Sequence, residues 1–396
     1  MRSLSHNPLI EFTYISVFKA CASLSALEEG RQIQVDCLKR GFDSDIYVGN
    51  TMVHFYGSCK KIVDARKVFD EMIYTSVVSW NTIISAFRHV SWLPESIEYF
   101  MKMRRVEIEP NGTTMMVMLS VCAELGNLTM GKCVHSQIIE KGLELTCELG
   151  TALVNMYAKC GDLNWASLVF DTVHNRNVWT WSAMILGLAQ HGLARHALSL
   201  FKKMKETAIQ PNYVTFLGVI CACSHAGYVE EGYRFFNEMK CVYGIKPRLV
   251  HYGAMVDVLG RSGHLNEAYD FILKMPIKPD PTIWRTLLSA CNVHSAIDFD
   301  EVGEKVRMKL LELEPRGSNN LVMIANKYAD ICKWEDVAQL RKRMRVRGLK
   351  KMAGESCIEV KGSSFRFLSG YDSQASCVNI YLLLDGLSLN MKISNL

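Results

Sequence analysis

The sequence has no apolar run approaching the roughly 20 residues that a membrane-spanning helix requires. Runs such as Met115-Met116-Val117-Met118-Leu119 break off much sooner, so no spanning segment is expected. Low-complexity tracts are also missing, which argues against a disordered arm. Fourteen cysteines are present, yet none forms a CxxC pair. Cys21, Cys122, Cys160 and Cys291 fall inside apolar helical patterns, where a thiol packs as a small hydrophobe. Cys221 and Cys223 would point about 200° apart on a helix, a poor chelate. Neither HxE nor PCxxC occurs, so the metal-activated water and paired glutamate of a zinc deaminase have no residues to build them. A surplus of one charge is lacking over most of the chain. Residues 11–280 carry 27 Lys/Arg against 27 Asp/Glu, and residues 281–396 carry 17 against 13. A general electrostatic funnel for nucleic acid is therefore not visible in the first two thirds, and RNA binding there would have to rest on residue-by-residue contacts. No metal, cofactor or catalytic residue is expected.

What is present is a repeat. Gly30, Ala65, Ser96, Gly131, Ala166, Ala197, Gly232 and Ala268 recur at intervals of 35, 31, 35, 35, 31, 35 and 36 residues. Small residues in a fixed column suit a close approach of two antiparallel helices. Four residues later stand Phe69, Phe100, Phe170, Phe201, Phe236 and Ile272. Three further on come Met72, Met103, Val173, Met204, Met239 and Met275. Together they form an apolar stripe at i, i+4, i+7, which predicts the second helix of each unit. The first helix carries an aromatic near its start (Trp80, Trp181, Tyr252) and ends near Gly126, Gly161, Gly192, Gly227 or Gly263, where a left-handed residue stops a helix. The expected units are 11–45, 46–76, 77–111, 112–146, 147–177, 178–212, 213–248 and 249–280. Their alternating lengths fit neither a 34-residue tetratricopeptide array nor a 33-residue ankyrin array. The segment Gly126-Asn127-Leu128-Thr129-Met130-Gly131-Lys132-Cys133 nearly fits a phosphate-binding loop. It ends in cysteine instead of a hydroxyl, and the repeat already accounts for both glycines.

The cycle of 35, 31 and 35 resembles the long, short and standard motifs of plant pentatricopeptide-repeat proteins, the PLS subfamily. Val77-Val78-Ser79-Trp80-Asn81-Thr82-Ile83-Ile84 and Val178-Trp179-Thr180-Trp181-Ser182-Ala183-Met184-Ile185 are similar to the standard motif opening. Met156-Tyr157-Ala158-Lys159-Cys160-Gly161 and His251-Tyr252-Gly253-Ala254-Met255-Val256-Asp257-Val258-Leu259-Gly260-Arg261-Ser262-Gly263 resemble the short motifs. Residues 281–350, through Trp284-Arg285-Thr286-Leu287-Leu288-Ser289-Ala290-Cys291 and Leu311-Glu312-Leu313-Glu314-Pro315, resemble the family's extension (E) domain. Residues 351–396, with Cys357-Ile358-Glu359-Val360, resemble its E-plus segment. The resemblance implies an all-α, right-handed superhelical solenoid of helix-turn-helix repeats. It also implies the subgroup associated with C-to-U editing of organelle transcripts, here without the deaminase-like DYW domain, the chain ending at Leu396.

By the same resemblance, the fifth and last residues of a unit read one base of single-stranded RNA, which needs donors and acceptors matched to a Watson–Crick edge. The pairs are Asn50 with Ser76, Asn81 with Asn111, Thr151 with Asn177, and Ser182 with Asn212. The family's code implies pyrimidines for the first two and adenines for the last two. The long units place Ile15, Met116 and Leu217 at the fifth position, which suits spacers or stacking surfaces. The competing reading is that polar residues near a helix start cap it or face water.

The densest basic patch comprises Arg341, Lys342, Arg343, Arg345 and Arg347. It reads either as a solvated helix end favoured by the macrodipole or as a contact for RNA phosphate or an acidic partner. The expected function is therefore a non-enzymatic site-recognition factor for C-to-U editing, with single-stranded organelle RNA, a deaminase-bearing protein in trans and other editing factors as partners. The alternatives are an RNA stability, splicing or translation factor, and a protein-binding helical scaffold. The resemblance places it in the mitochondrion, or alternatively the chloroplast. Residues 1–10 read as the tail of a preceding unit, so the ancestral protein is expected to be longer.

Overall fold

The apolar columns and glycine stops do what their spacing predicts: they divide the chain into short helices joined by tight turns. The computed structural model describes residues 11–294, 301–315, 317–330, 332–349, 354–360 and 363–368. Residues 1–10, read above as a repeat remnant, and 369–396 of the C-terminal segment lie outside them. The structure divides into two units, Met1–Ser262 and Gly263–Leu396.

In the first unit the helices follow in pairs: α1 (Glu11–Leu24) with α2 (Leu27–Lys39), α3 (Ile46–Ser58) with α4 (Ile62–Glu71), α5 (Val77–His89) with α6 (Leu93–Arg105), α7 (Gly112–Leu125) with α8 (Leu128–Glu140). Then come α9 (Cys147–Lys159) with α10 (Leu163–Thr172), α11 (Val178–Gln190) with α12 (Ala194–Lys205), α13 (Tyr213–Ala226) with α14 (Val229–Cys241), and finally α15 (Leu249–Arg261). Successive odd-numbered helices pack side by side, and each even-numbered helix closes one side of its pair. This is the solenoid expected from the repeat. Stacking is what makes such units stable, since one helix pair cannot bury its own apolar face. Phe100, Met103, Phe201 and Met204 are all essentially inaccessible to solvent. Truncating one such Phe to Ala would cost about 3–5 kcal/mol.

Two details of this packing differ in physical meaning from the sequence reading. Within the column of small residues, Ser96 does meet the backbone of its own pair, its hydroxyl donating to the Ile84 carbonyl at 3.3 Å, but the glycines serve another purpose. A Cβ added at Gly30 would lie 2.0 Å from the Phe55 ring, and one at Gly131 would lie 2.3 Å from the Met156 sulfur. Those side chains come from the first helix of the following pair, so the gap is a socket for a neighbour's knob. Another close approach lies between first helices. A Cβ on Gly57 would stand 2.7 Å from that of Ala86, and one on Gly187 would stand 2.5 Å from that of Ala158. Each of these two seams, α3 with α5 and α9 with α11, pairs one glycine with one alanine.

Helix ends follow local chemistry. Gly126 and Gly227 end α7 and α13 with φ of 68° and 71°, a region only glycine enters without strain. At the starts, the side-chain oxygens of Asp45, Asn111, Thr146, Asn177 and Asn212 accept backbone N–H bonds from α3, α7, α9, α11 and α13.

The second unit contains α16 (Leu265–Leu273), α17 (Pro281–His294), α18 (Glu301–Leu313), α19 (Ser318–Asp330) and α20 (Trp334–Val346). Its core is drawn from Trp284, Leu287, Val306, Leu310, Leu321, Ile324 and Leu340. Arg307 is buried there with Glu304 at 2.8 Å, while Tyr328 donates to the other Glu304 oxygen at 3.2 Å. Two strands follow, β1 (Glu355–Val360) and β2 (Ser363–Leu368), paired antiparallel with Glu355 opposite Leu368 and Val360 opposite Ser363. The helical architecture is as expected; this strand pair is an addition that the repeat pattern does not announce.

Candidate nucleic-acid interface

The strip of interest runs along the starts of the first helices, because that is where each pair ends and the next begins. The last residue of one pair caps the next first helix, and the fifth residue of the pair sits one turn inside its own first helix. Asn81 Nδ2 donates to Asn111 Oδ1 at 3.2 Å, and Ser182 Oγ donates to Asn212 Oδ1 at 3.2 Å. Residues 30 apart in sequence are thereby joined directly. Thr151 and Asn177 instead meet through a third residue: the Thr151 and Thr180 hydroxyls lie 2.7 Å apart, and Thr180 donates to Asn177 Oδ1 at 3.2 Å. Asn50 and Ser76 are not bonded to one another among the described residues. Ser76 forms a capping box with Ser79, and the buried Asn50 Oδ1 has no partner.

Thr114, Thr180 and Thr215 are the participants that the sequence reading missed. Each is fully buried. Thr114 donates to Asn81 Oδ1 at 2.7 Å, and Thr215 lies 2.7 Å from the Ser182 hydroxyl. Their signal was available as an Asn followed three residues later by Thr, the spacing of a reciprocal cap. They hold the fifth residues in place, with Ser182 fully buried and Asn81 nearly so.

Capping and ligand contact are not exclusive here. In Asn111, Asn177 and Asn212 the cap consumes the amide oxygen and leaves the amide nitrogen outside it. Asn212 Nδ2 is buried with no partner at all. An unpaired buried donor costs about 1–3 kcal/mol. The second position of several pairs adds an element the sequence reading did not use. Phe12, Tyr47, Val78, Trp179 and Val250 are exposed apolar residues at the very start of their helices, where a planar base can stack.

Asn81 and Asn111 open on a cleft of about 840 Å³, which Val78, His54, Arg88 and Glu124 also line. Arg88 is tied to Glu124 at 2.8 Å, so its charge is locally balanced. The long-pair residues Met116 and Leu217 are half-buried and Ile15 is half-buried as well. Arg341, Lys342, Arg343 and Arg345 are exposed on the last two turns of α20, and Arg347 caps that helix. Arg347 donates to the Pro315 carbonyl at 3.0 Å. The five cations are spread around the helix instead of along one face, at the end where the macrodipole favours them. Among the described residues no group of His, Cys, Asp and Glu could hold a metal ion. Among the same residues no helix is long and apolar enough to cross a membrane.

A stack of helix pairs, each first helix packed on the next, defines a helical-repeat solenoid. The chain belongs to the pentatricopeptide repeat-containing protein family. The PPR repeat pattern matches residues 50–74, 78–108, 214–242 and 250–278, the PPR repeat family pattern matches 176–224, and the E motif matches 298–359. The chain is 56% identical over 376 residues to pentatricopeptide repeat-containing protein At2g36730 of Arabidopsis thaliana, covering 95% of this chain and 75% of that protein. It is 36% identical over 414 residues to At5g56310 of the same plant, covering 96% and 78%. It is 38% identical over 382 residues to At3g26782, a relative named as mitochondrial, covering 96% of this chain but 57% of the relative. Among solved structures, the pentatricopeptide repeat protein PPR10 in complex with an 18-nt psaJ RNA element is similar with a TM-score of 0.58. The identity is 18%, over 87% of this chain and 55% of that one, a likeness of fold.

Proposed function

We propose that the chain binds single-stranded organelle RNA sequence-specifically and marks a site for C-to-U editing, with a deaminase supplied in trans. The observation that carries this is the joining of Asn81 to Asn111 and of Ser182 to Asn212, the same contact between fifth and last residues at two junctions three helix pairs apart. An edge of donors and acceptors at regular spacing suits successive unstacked bases better than it suits a protein surface. The match to the E motif supports the editing role. Relatives named as mitochondrial or chloroplastic support an organelle, and the mitochondrion is the assignment favoured here. The family extension in the second unit is the proposed docking end for the deaminase-bearing partner and other editing factors, with the exposed cations of α20 as its polar contact.

The pairs predict an RNA reading pyrimidine, pyrimidine, any base, adenine, adenine from 5′ to 3′, upstream of the target cytidine. With roughly 1–3 kcal/mol of discrimination per pair, changing both adenines to cytidines should weaken binding by at least tenfold. Equal affinity for the two RNAs would sink the base-reading assignment. Comparing organelle cytidines transcriptome-wide with and without the protein tests the editing role. Tight RNA binding with no altered cytidine would transfer the assignment to transcript stability, splicing or translation.

A further inference from the structure

The pair at α13 and α14 has Leu217 at its fifth position and ends in Arg248, so it has no base-reading pair and reads as a spacer. The surroundings of Arg248 say otherwise. Its guanidinium carbon lies over the Tyr213 ring, 3.7 Å from its centre. Tyr213 is buttressed on two sides: the Trp179 ring meets it edge-on at 6.1 Å, and the His251 ring at 6.5 Å, both at 81°. His251 is fully buried. It accepts the Arg248 backbone N–H on Nδ1 at 3.0 Å and donates from Nε2 to the Tyr213 carbonyl at 2.7 Å. These two bonds fix both the start of α15 and the start of α13.

Arg248 is exposed and, among the described residues, has no acidic side chain within ion-pair distance. Lys132, Lys205 and Arg88 elsewhere in the first unit are each tied to a carboxylate. Arg248 heads α15 as Asn111 heads α7 and Asn212 heads α13, so it stands on the ligand strip. Next to it in the stack is Asn212, whose buried Nδ2 has no partner. A guanidinium stacked on an aromatic ring is held ready for a planar, bidentate anion contact.

We infer that Arg248, laid on Tyr213, is a phosphate clamp that grips the RNA backbone on the 3′ side of the base facing Ser182 and Asn212. The pair at α13 and α14 then acts as an anchor beyond the last reading pair. This inference rests on the RNA-binding reading above and adds a contact that carries no sequence information.

The test is equilibrium binding of the full chain to the pyrimidine-pyrimidine-any-adenine-adenine RNA across a salt series, for wild type, Arg248→Gln, Arg248→Lys and Tyr213→Leu. Losing one phosphate contact to a single strand should flatten the slope of log affinity against log salt by about 0.7. At 0.15 M salt that corresponds to a loss of about fourfold, equal for every base at the nucleotide following the two adenines. Arg248→Lys should keep the slope and lose part of the affinity; so should Tyr213→Leu, by freeing the guanidinium. An unchanged slope in Arg248→Gln overturns the clamp. A loss confined to RNA with guanine at that following nucleotide also overturns it, in favour of a base contact. Wild-type protein that binds no RNA at moderate salt would refute the RNA-binding reading itself, a separate outcome. Unchanged thermal melting of each variant establishes that the fold is intact.

Discussion

Replacing Gly187 by alanine puts one methyl group where the seam between α9 and α11 has no room. The new Cβ would lie 2.5 Å from that of Ala158, more than 1 Å inside an ordinary carbon–carbon contact of about 3.5–4.0 Å. Separating the helices would strain two cross-seam bonds, the hydroxyl contact of Thr151 with Thr180 and that of His191 Nε2 with the Ala158 carbonyl, both 2.7 Å. Overpacking of this kind costs about 1–3 kcal/mol. Against it stands a gain of up to about 1 kcal/mol from removing a mid-helix glycine, so Gly187→Ala should destabilise by about 0–2 kcal/mol. Ala158→Gly alone should cost about 1.5–2 kcal/mol through helix propensity and a lost buried methyl. The double exchange restores one methyl to the seam and should lie within about 0.5 kcal/mol of wild type, although simple addition of the two changes predicts a loss of about 1.5–4 kcal/mol. Urea unfolding followed by circular dichroism reads all four proteins. A double variant as unstable as the sum of its parts would refute the steric account.

Glu124→Gln should release Arg88 into the cleft beside Asn81, raising RNA affinity about fourfold at 0.15 M salt and steepening the salt slope by about 0.7; filter binding showing no gain would remove Arg88 from the interface. Burial holds the imidazoles of His135 and His251 below their ordinary pKa. Both favour the neutral form in the fold, so stability should be full above about pH 6.5 and fall as pH drops from there toward the lowered folded values. Urea midpoints at pH 7.5 and 5.5 check this, and His135→Gln with His251→Gln should flatten the profile. Burial pushes the Cys221 thiol up to about 11 and that of Cys223 up to about 12. Maleimide mass mapping should therefore label exposed Cys133, Cys241 and Cys332 in the native protein and reach Cys221 and Cys223 only in urea.

The helix pairs were legible because they rest on local signals. Phe69, Phe100 and Phe201 recur one turn after a small residue, and the glycines at 126 and 227 stop helices by their own backbone freedom. What each small residue is for was not legible. Gly30 and Gly131 receive Phe55 and Met156 from the next pair, and a sequence does not say which of two neighbours fills a gap. The strip shows the same division. Asn81, Asn111, Ser182 and Asn212 could be named from their register. The buried threonines that orient them, and the split of one amide between cap and groove, depend on bonds between residues about 30 positions apart. Arg248 read as the end of a spacer because its partner ring, Tyr213, lies 35 residues earlier. The strand pair at 355–368 follows no repeat, and six-residue strands give periodicity little to act on.

The amide that caps a helix at Asn111, Asn177 and Asn212 has an evolutionary consequence. A side chain that both starts a helix and faces the groove can be exchanged only among residues able to do both, chiefly Asn, Asp, Ser and Thr. An arbitrary replacement at position 111, 177 or 212 would unfasten the following helix by about 0.5–2 kcal/mol before any ligand is met. The set of residues tolerated at these positions is therefore small by mechanical necessity, and on the proposed base-reading function any recoding for a new target would have to stay within it.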